Sequence, residues 1–158
     1  MIKVAICDDD IQFIYKLEQS IFRFAEMKRI KVDVDGYTSG AEFIQKLQQS
    51  ERYDLLFLDI ELGDSSGIIV GNWIRSQIQY ESMQIVFVSA KEMYAMQLFD
   101  LRPMNFLVKP IQQERVDYIL DEYERLYQFQ PHIIEIGKGR NAIRIEEHSV
   151  FYLQSLAR

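Results

Sequence analysis

The sequence predicts an α/β fold in which a five-stranded parallel sheet carries helices on both faces. Three observations support that expectation. Short apolar runs alternate with stretches of helical periodicity five times in succession, the pattern of strand–helix units joined by right-handed crossovers. Most of the apolar runs end in a charged or hydroxyl residue, and in open parallel sheets the functional edge lies beyond the carboxyl ends of the strands. The composition, 48% hydrophobic and 27% charged over 158 residues, supplies one core and a solvated surface.

Ile2–Cys7 is an apolar run that meets Asp8-Asp9-Asp10 and reads as a buried strand. Ile11, Ile14, Leu17, Ile21 and Phe24 then recur at helical spacing, giving an amphipathic helix to about Lys28. Ile30, Val32 and Val34 alternate with Lys31, Asp33 and Asp35, which suits an edge strand with one polar face. Ser39 with Glu42 three residues later is a capping box, so a helix opens there and runs to about Gln49. Leu55–Leu58 is a strand ending at Asp59. Gly63-Asp64-Ser65-Ser66-Gly67 is loop chemistry, and the following helix turns Val70, Trp73, Ile74 and Ile78 inward. Ile85–Val88 is a strand ending at Ser89, Met93–Phe99 a short helix, and Phe106–Val108 a strand ending at Lys109-Pro110. A long helix covers about Gln112–Phe129 and stops before Pro131.

Beyond Pro131 the character changes. His132–Ile136 and Ala142–Ile145 read as two β strands around residues 137–141, with Val150–Leu153 as a third. These 28 residues are too few for an independent core. Residues 1–130 hold 14 Lys/Arg against 21 Asp/Glu, a charge of −7, and residues 131–158 hold 4 against 3, a charge of +1. Neither part has the basic footprint of a complete nucleic-acid-binding surface. Cys7 is the single cysteine, which excludes an internal disulfide and a cysteine metal cluster. No apolar run approaches the roughly 20 residues needed to span a bilayer. The opening Met1-Ile2-Lys3-Val4 lacks a signal-peptide pattern, so a cytoplasmic location is expected.

The predicted topology brings distant residues together. Asp8 and Asp9 follow the first strand, Asp59 ends the third, Ser89 the fourth and Lys109 the fifth, all on one edge. An acidic triplet alone would be a solvated helix start, and Asp10 is expected to act as one. Three carboxylates on one edge repel one another unless a positive charge sits among them. Mg²⁺ (or Mn²⁺) satisfies that need with oxygen ligands and retained waters; Asp9 and Asp59 are the natural direct ligands, with Asp8 acting through water. A carboxylate beside a divalent cation and a Lys ammonium is equipped to accept a phosphoryl group, forming an aspartyl phosphate.

These residues resemble the receiver domain of bacterial two-component response regulators over about residues 1–128. The matching pieces are Asp8-Asp9, Asp59 after Leu55-Leu56-Phe57-Leu58, Ser89-Ala90, and Val108-Lys109-Pro110. The resemblance implies a flavodoxin-like doubly wound sheet of order 2-1-3-4-5 and a signalling domain rather than a turnover enzyme. It makes Asp59 the phosphoacceptor and Asp8 and Asp9 the acidic metal pair, with Glu61 supplying a backbone carbonyl to the metal. Ser89 would be the hydroxyl that bonds the phosphoryl group, Lys109 the cation that neutralises charge on the moving group, and Phe106 the aromatic switch. It further implies a sensor histidine kinase as partner and homodimerisation on phosphorylation. Where the family often carries Pro shortly after the phosphoacceptor, this chain has Leu62-Gly63-Asp64, and Phe106 has no hydroxyl.

Ile133-Ile134-Glu135-Ile136 and Val150-Phe151-Tyr152-Leu153-Gln154-Ser155 resemble the opening strands of a LytTR-type DNA-binding domain, so residues 129–158 are expected to be a linker and the incomplete start of that domain. The resemblance implies that DNA is bound only through the full output domain and that no membrane is engaged. Two other classes compete. Asp8 and Asp10 stand two apart, as in haloacid-dehalogenase-like phosphatases, but Gln12 holds a position where that family expects Thr or Val. A phosphorylation-independent interaction module, whether a pseudo-receiver or a flavin carrier, would lack a site residue or need a phosphate-cradling loop in place of the three aspartates.

Overall fold

The computed structural model describes residues 1–77, 82–128, 133–136 and 143–146. It divides into two compact units, residues 1–120 and 121–158. In the first, β1 (Ile2–Cys7), α1 (Ile11–Lys28), β2 (Val32–Tyr37), α2 (Gly40–Gln48), β3 (Leu55–Asp59), α3 (Gly67–Gln77), β4 (Gln84–Ser89), a 3₁₀ helix (Glu92–Leu101) and β5 (Asn105–Val108) follow in order. The strands form one sheet of order β2-β1-β3-β4-β5, every pair parallel. This is the expected doubly wound arrangement, and it places β1 and β3 side by side at the centre.

β3 is buried at all five positions and β4 at five of six, because a central parallel strand has helices on both faces. β2 is half-buried or exposed at every position but its last, Tyr37, as suits an edge strand. α1 buries Ile14, Leu17, Ile21 and Phe24 of the stripe read from the sequence, with Ala25 beside them, while Ile11 is exposed. Fully burying a large aliphatic or aromatic side chain contributes about 1.5–3 kcal/mol, so this stripe pins α1 to the sheet. Asp10 is the N-cap of α1: its Oδ1 accepts the N–H groups of Gln12 and Phe13 at 2.9 and 3.3 Å. Arg29 ends the helix in the left-handed region, φ 59°, and the Ile30 N–H closes back on Ala25 O at 3.0 Å. Ser39 Oγ accepts the Glu42 N–H at 3.1 Å and starts α2 as expected.

α3 buries Val70 and Ile74, with Trp73 half-buried against the same core; Ile78 lies outside the described residues. The short helix expected at Met93–Phe99 is longer and winds as a 3₁₀ helix over Glu92–Leu101. It stops where Arg102 takes φ 46° ahead of Pro103, which has no N–H to continue a helix. The Lys109–Pro110 peptide is cis.

α4 (Gln113–Tyr123) is regular over only part of the long helix expected at Gln112–Phe129, and Glu124–Gln128 continue as a wider π-helical turn. In the second unit, β6 (Ile133–Ile136) pairs antiparallel with β7 (Ile143–Glu146). The third strand expected at Val150–Leu153 lies outside the described residues. No described helix is long and apolar enough to cross a membrane.

Candidate phosphoacceptor and metal site

The carboxyl ends of β1, β3 and β5 deliver the site. Asp8 follows β1, whose last residue Cys7 pairs in register with Leu58, so Asp8 and Asp59 leave adjacent central strands at the same level. Both are almost completely enclosed, at 1% and 5% exposure, whereas Asp9 is open to solvent. One oxygen from each of Asp8, Asp9 and Asp59 falls within 4.8 Å of the others. Lys109 reaches in from the end of β5, with Nζ 2.7 Å from Asp8 Oδ2 and 2.8 Å from Asp59 Oδ2. Its ammonium also lies 4.3 Å from the centre of the Phe13 ring, a cation–π contact that holds the stem from the α1 side.

The electrostatics follow from this packing. Burial pushes the Asp8 carboxyl above its ordinary value, and the neighbouring Asp59 charge adds to the rise. Hydrogen bonding to Lys109 and to the Asp10 N–H opposes it without cancelling it. Burial alone would lower Lys109, but its hydrogen bonds to Asp59 and Asp8 and their charges outweigh that and raise it. Lys109 is therefore a permanent cation between two carboxylates.

Asp59 Oδ1 accepts the Glu61 N–H at 3.1 Å, so both oxygens of Asp59 are oriented. Asp8 Oδ1 accepts the Asp10 N–H at 3.0 Å, while the enclosed Asp8 Oδ2 faces the Lys109 ammonium at 2.7 Å. Three hard oxygen donors fit a divalent cation such as Mg²⁺. One ammonium cannot neutralise three carboxylates.

Ser89 ends β4 fully buried, and its Oγ accepts the Lys91 N–H at 3.0 Å, so in this state it caps the next turn. Glu61 projects its carboxylate to Lys91, in an exposed ion pair at 2.5 Å. Phe106 pairs in register with Phe87 and is half-buried against the core, three residues before Lys109. Asp8, Asp9 and Asp59 are thus in reach of one another, and Lys109 is in reach of Asp8 and Asp59. Glu61 borders them through its N–H on Asp59, Ser89 ends the neighbouring strand β4, and Phe106 is packed against the core from β5. Asp10 is committed to capping α1, so it is not presented as the second carboxylate that a dehalogenase-like phosphatase would need.

Four residues of the site gave no clear sequence signal. Phe13 is one more apolar residue within a helical stretch, and Lys91 is a single lysine two residues after Ser89. Gly63 and Gly67 looked like generic loop glycines. A Cβ on Gly67 would stand 2.0 Å from the Asp59 carbonyl oxygen, so only glycine lets α3 start against the end of β3.

Residues 4–121 match the model of the response regulator receiver domain. The sensory transduction protein LytT of Bacillus cereus is 29% identical over 151 residues, covering 95% of this chain and 58% of LytT. The sensory transduction protein LytR of Streptococcus agalactiae is 30% identical over 126 residues, covering 80% of this chain and 49% of LytR. The chain therefore spans only half to three-fifths of the length of these relatives. Among solved structures, the response regulator TrrA from Thermotoga maritima, in complex with Mg²⁺-BeF, superposes with a TM-score of 0.63 at 23% identity, covering 78% of this chain and 99% of TrrA. The parallel sheet, the acidic cluster on Lys109 and the match over residues 4–121 lead to one conclusion: the chain belongs to the response regulator receiver domain family.

Proposed function

We propose that this chain is the phosphorylated switch of a two-component transcriptional regulator, with Asp59 as phosphoacceptor. The carrying observation is the Lys109 ammonium held between Asp59 and Asp8, with Asp9 completing the carboxylate cluster. A sensor histidine kinase would present a phosphohistidine at the open edge. An Asp59 oxygen attacks phosphorus as the phosphorus–nitrogen bond breaks, and the imidazole leaves as the neutral base after taking up a proton. In a loose phosphoryl-transfer transition state, the need is for positioning and for countering negative charge.

Lys109 already points at the Asp59 oxygen and neutralises charge as the phosphoryl group arrives. Asp8, Asp9, Asp59 and the Glu61 carbonyl would hold Mg²⁺ or Mn²⁺, which supplies further charge neutralisation when bound. Catalysis of its own phosphorylation in this sense does not make the chain a turnover enzyme.

Output follows from Ser89. New phosphoryl oxygens beside it would accept a hydrogen bond from the Ser89 hydroxyl, whose Oγ now accepts from the Lys91 N–H. As Ser89 swings toward them it vacates space behind β4, and Phe106 rotates inward, altering the face built from the 3₁₀ helix, β5 and α4. That face would recruit a second copy of the chain or act on a LytTR-type DNA-binding domain, of which residues 129–158 would be the linker and first strands. The LytT and LytR names of the relatives and the Mg²⁺-BeF carried by TrrA support this reading, which places the protein in the cytoplasm.

The decisive experiment is intact-mass measurement after incubation with acetyl phosphate and Mg²⁺. A hydroxylamine-labile gain of one phosphoryl group is expected in the wild type and none in Asp59→Asn, whose amide is not a nucleophile toward phosphorus. Full phosphorylation of Asp59→Asn would refute the assignment.

A further inference from the structure

Asp64 sits at the tip of the loop between β3 and α3, and its carboxylate is used far away in sequence. Oδ1 accepts the Gly40 N–H at 3.1 Å and Oδ2 accepts the Ala41 N–H at 3.0 Å. These are among the first N–H groups of α2, which have no partner inside the helix. The Ala41 and Gly40 amides hold the Asp64 carboxyl below its ordinary value. The N-terminus of α2 is therefore capped twice, by Ser39 from its own chain segment and by Asp64 from a different loop.

The base of the same loop is closed as well. Glu61 bridges Ser66, and the Gly67 N–H donates to Ile60 O at 3.0 Å. Between base and tip, Gly63 lies against the acidic cluster: a Cβ there would stand 3.1 Å from Asp9 Oδ2. At the clasp the fit is equally close, since a Cβ on Gly40 would stand 2.6 Å from Ser65 Oγ and 2.8 Å from Val70 Cγ2. Residues 61–66 thus form a short closed segment, with Glu61 and Gly63 facing the carboxylates and Asp64 fastened to α2. Leu62-Gly63-Asp64 contains no proline, so stiffness must come from an outside contact.

We propose that Asp64 is a positioning residue for the divalent metal: by clasping the N-terminus of α2 it fixes the 61–66 loop where Glu61 and Asp9 can share one cation with Asp59. The proposal rests on the metal reading above. It assigns Asp64 no contact with the metal. Without the clasp, the loop would have to be ordered at the moment of binding, and affinity would fall by that cost.

The test is calorimetric titration of the metal-free protein with MgCl₂, for wild type, Asp64→Ala, Asp64→Asn and Ser39→Ala. Ser39→Ala is the comparator, because it removes a cap from the same helix end without touching the loop. Asp64→Ala is expected to weaken Mg²⁺ binding by about tenfold, the scale on which groups that orient metal ligands act. Asp64→Asn is expected to fall between, since its amide oxygen keeps one acceptor for Gly40 or Ala41. Ser39→Ala should lower the thermal midpoint yet bind Mg²⁺ as the wild type does. Wild-type affinity in Asp64→Ala, or an equal loss in Ser39→Ala, would overturn the proposal while leaving the metal reading intact. Absence of saturable Mg²⁺ binding by the wild type would overturn both.

Discussion

Lys109→Ala offers a quantitative check on the charge balance at the site. The wild-type ammonium faces two carboxylates at 2.7 and 2.8 Å, and those side chains are 1% and 6% exposed while the lysine is 23% exposed. Removing one partner of a buried ion pair costs about 3–5 kcal/mol, mostly because the remaining charge is left buried and unpaired. Water reaches part of Lys109, which argues for the lower end, about 3 kcal/mol. For a chain of this size that corresponds to a fall of about 6–12 °C in Tm at roughly 2–4 °C per kcal/mol. The deficit should shrink when Mg²⁺ is added. A ligand at a hundred times its Kd stabilises the fold by about 2.7 kcal/mol, and the variant gains more than the wild type because Lys109 no longer repels the cation.

The deficit should also shrink as pH falls. Asp8 already has a folded-state pKa above its ordinary value, and losing Lys109 raises it further. A carboxyl with a raised folded pKa penalises the fold at high pH, and the penalty is relieved as protonation proceeds below that raised pKa. The assay is thermal unfolding at pH 7 and pH 5.5, with and without Mg²⁺. An unchanged Tm in the metal-free variant, or a deficit indifferent to Mg²⁺, would refute the argument that Lys109 balances the carboxylates.

Three further outcomes are expected. Asp9→Ala removes an exposed carboxylate of the cluster and should weaken Mg²⁺ binding by at least about tenfold in calorimetry, with slower phosphorylation by acetyl phosphate; wild-type affinity would remove Asp9 from the ligand set. Gly67→Ala puts a Cβ 2.0 Å from the Asp59 backbone oxygen, so urea unfolding should show a loss at the upper end of the roughly 1–3 kcal/mol typical of overpacking. Cys7 is wholly buried and its thiol is pushed up by burial, so a thiol reagent at pH 8 should leave the native protein unmodified and label one thiol per chain in denaturant.

The sequence alone carried the alternation of apolar runs with helical stripes, hence the parallel sheet, and the strand-end positions of Asp8, Asp9, Asp59, Ser89 and Lys109. That much was legible because burial imposes a period on each element and because parallel strands bring all their carboxyl ends to one edge. Capping by Asp10 and Ser39 was legible for the same local reason: a cap and the N–H groups it satisfies are only two or three residues apart. Tertiary structure alone decided the contacts whose partners are remote. Asp64 finds α2 across more than twenty residues, Lys91 finds Glu61 across thirty, and Phe13 of α1 finds Lys109 at the end of β5. It also decided that the segment before β5 winds as a 3₁₀ helix, and that Gly67 must be glycine because of a carbonyl eight residues back. The physical reason is common to these cases. Periodicity records which face of an element is buried, but the pairing of two particular polar groups depends on loop paths and packing distances that no single window of sequence contains.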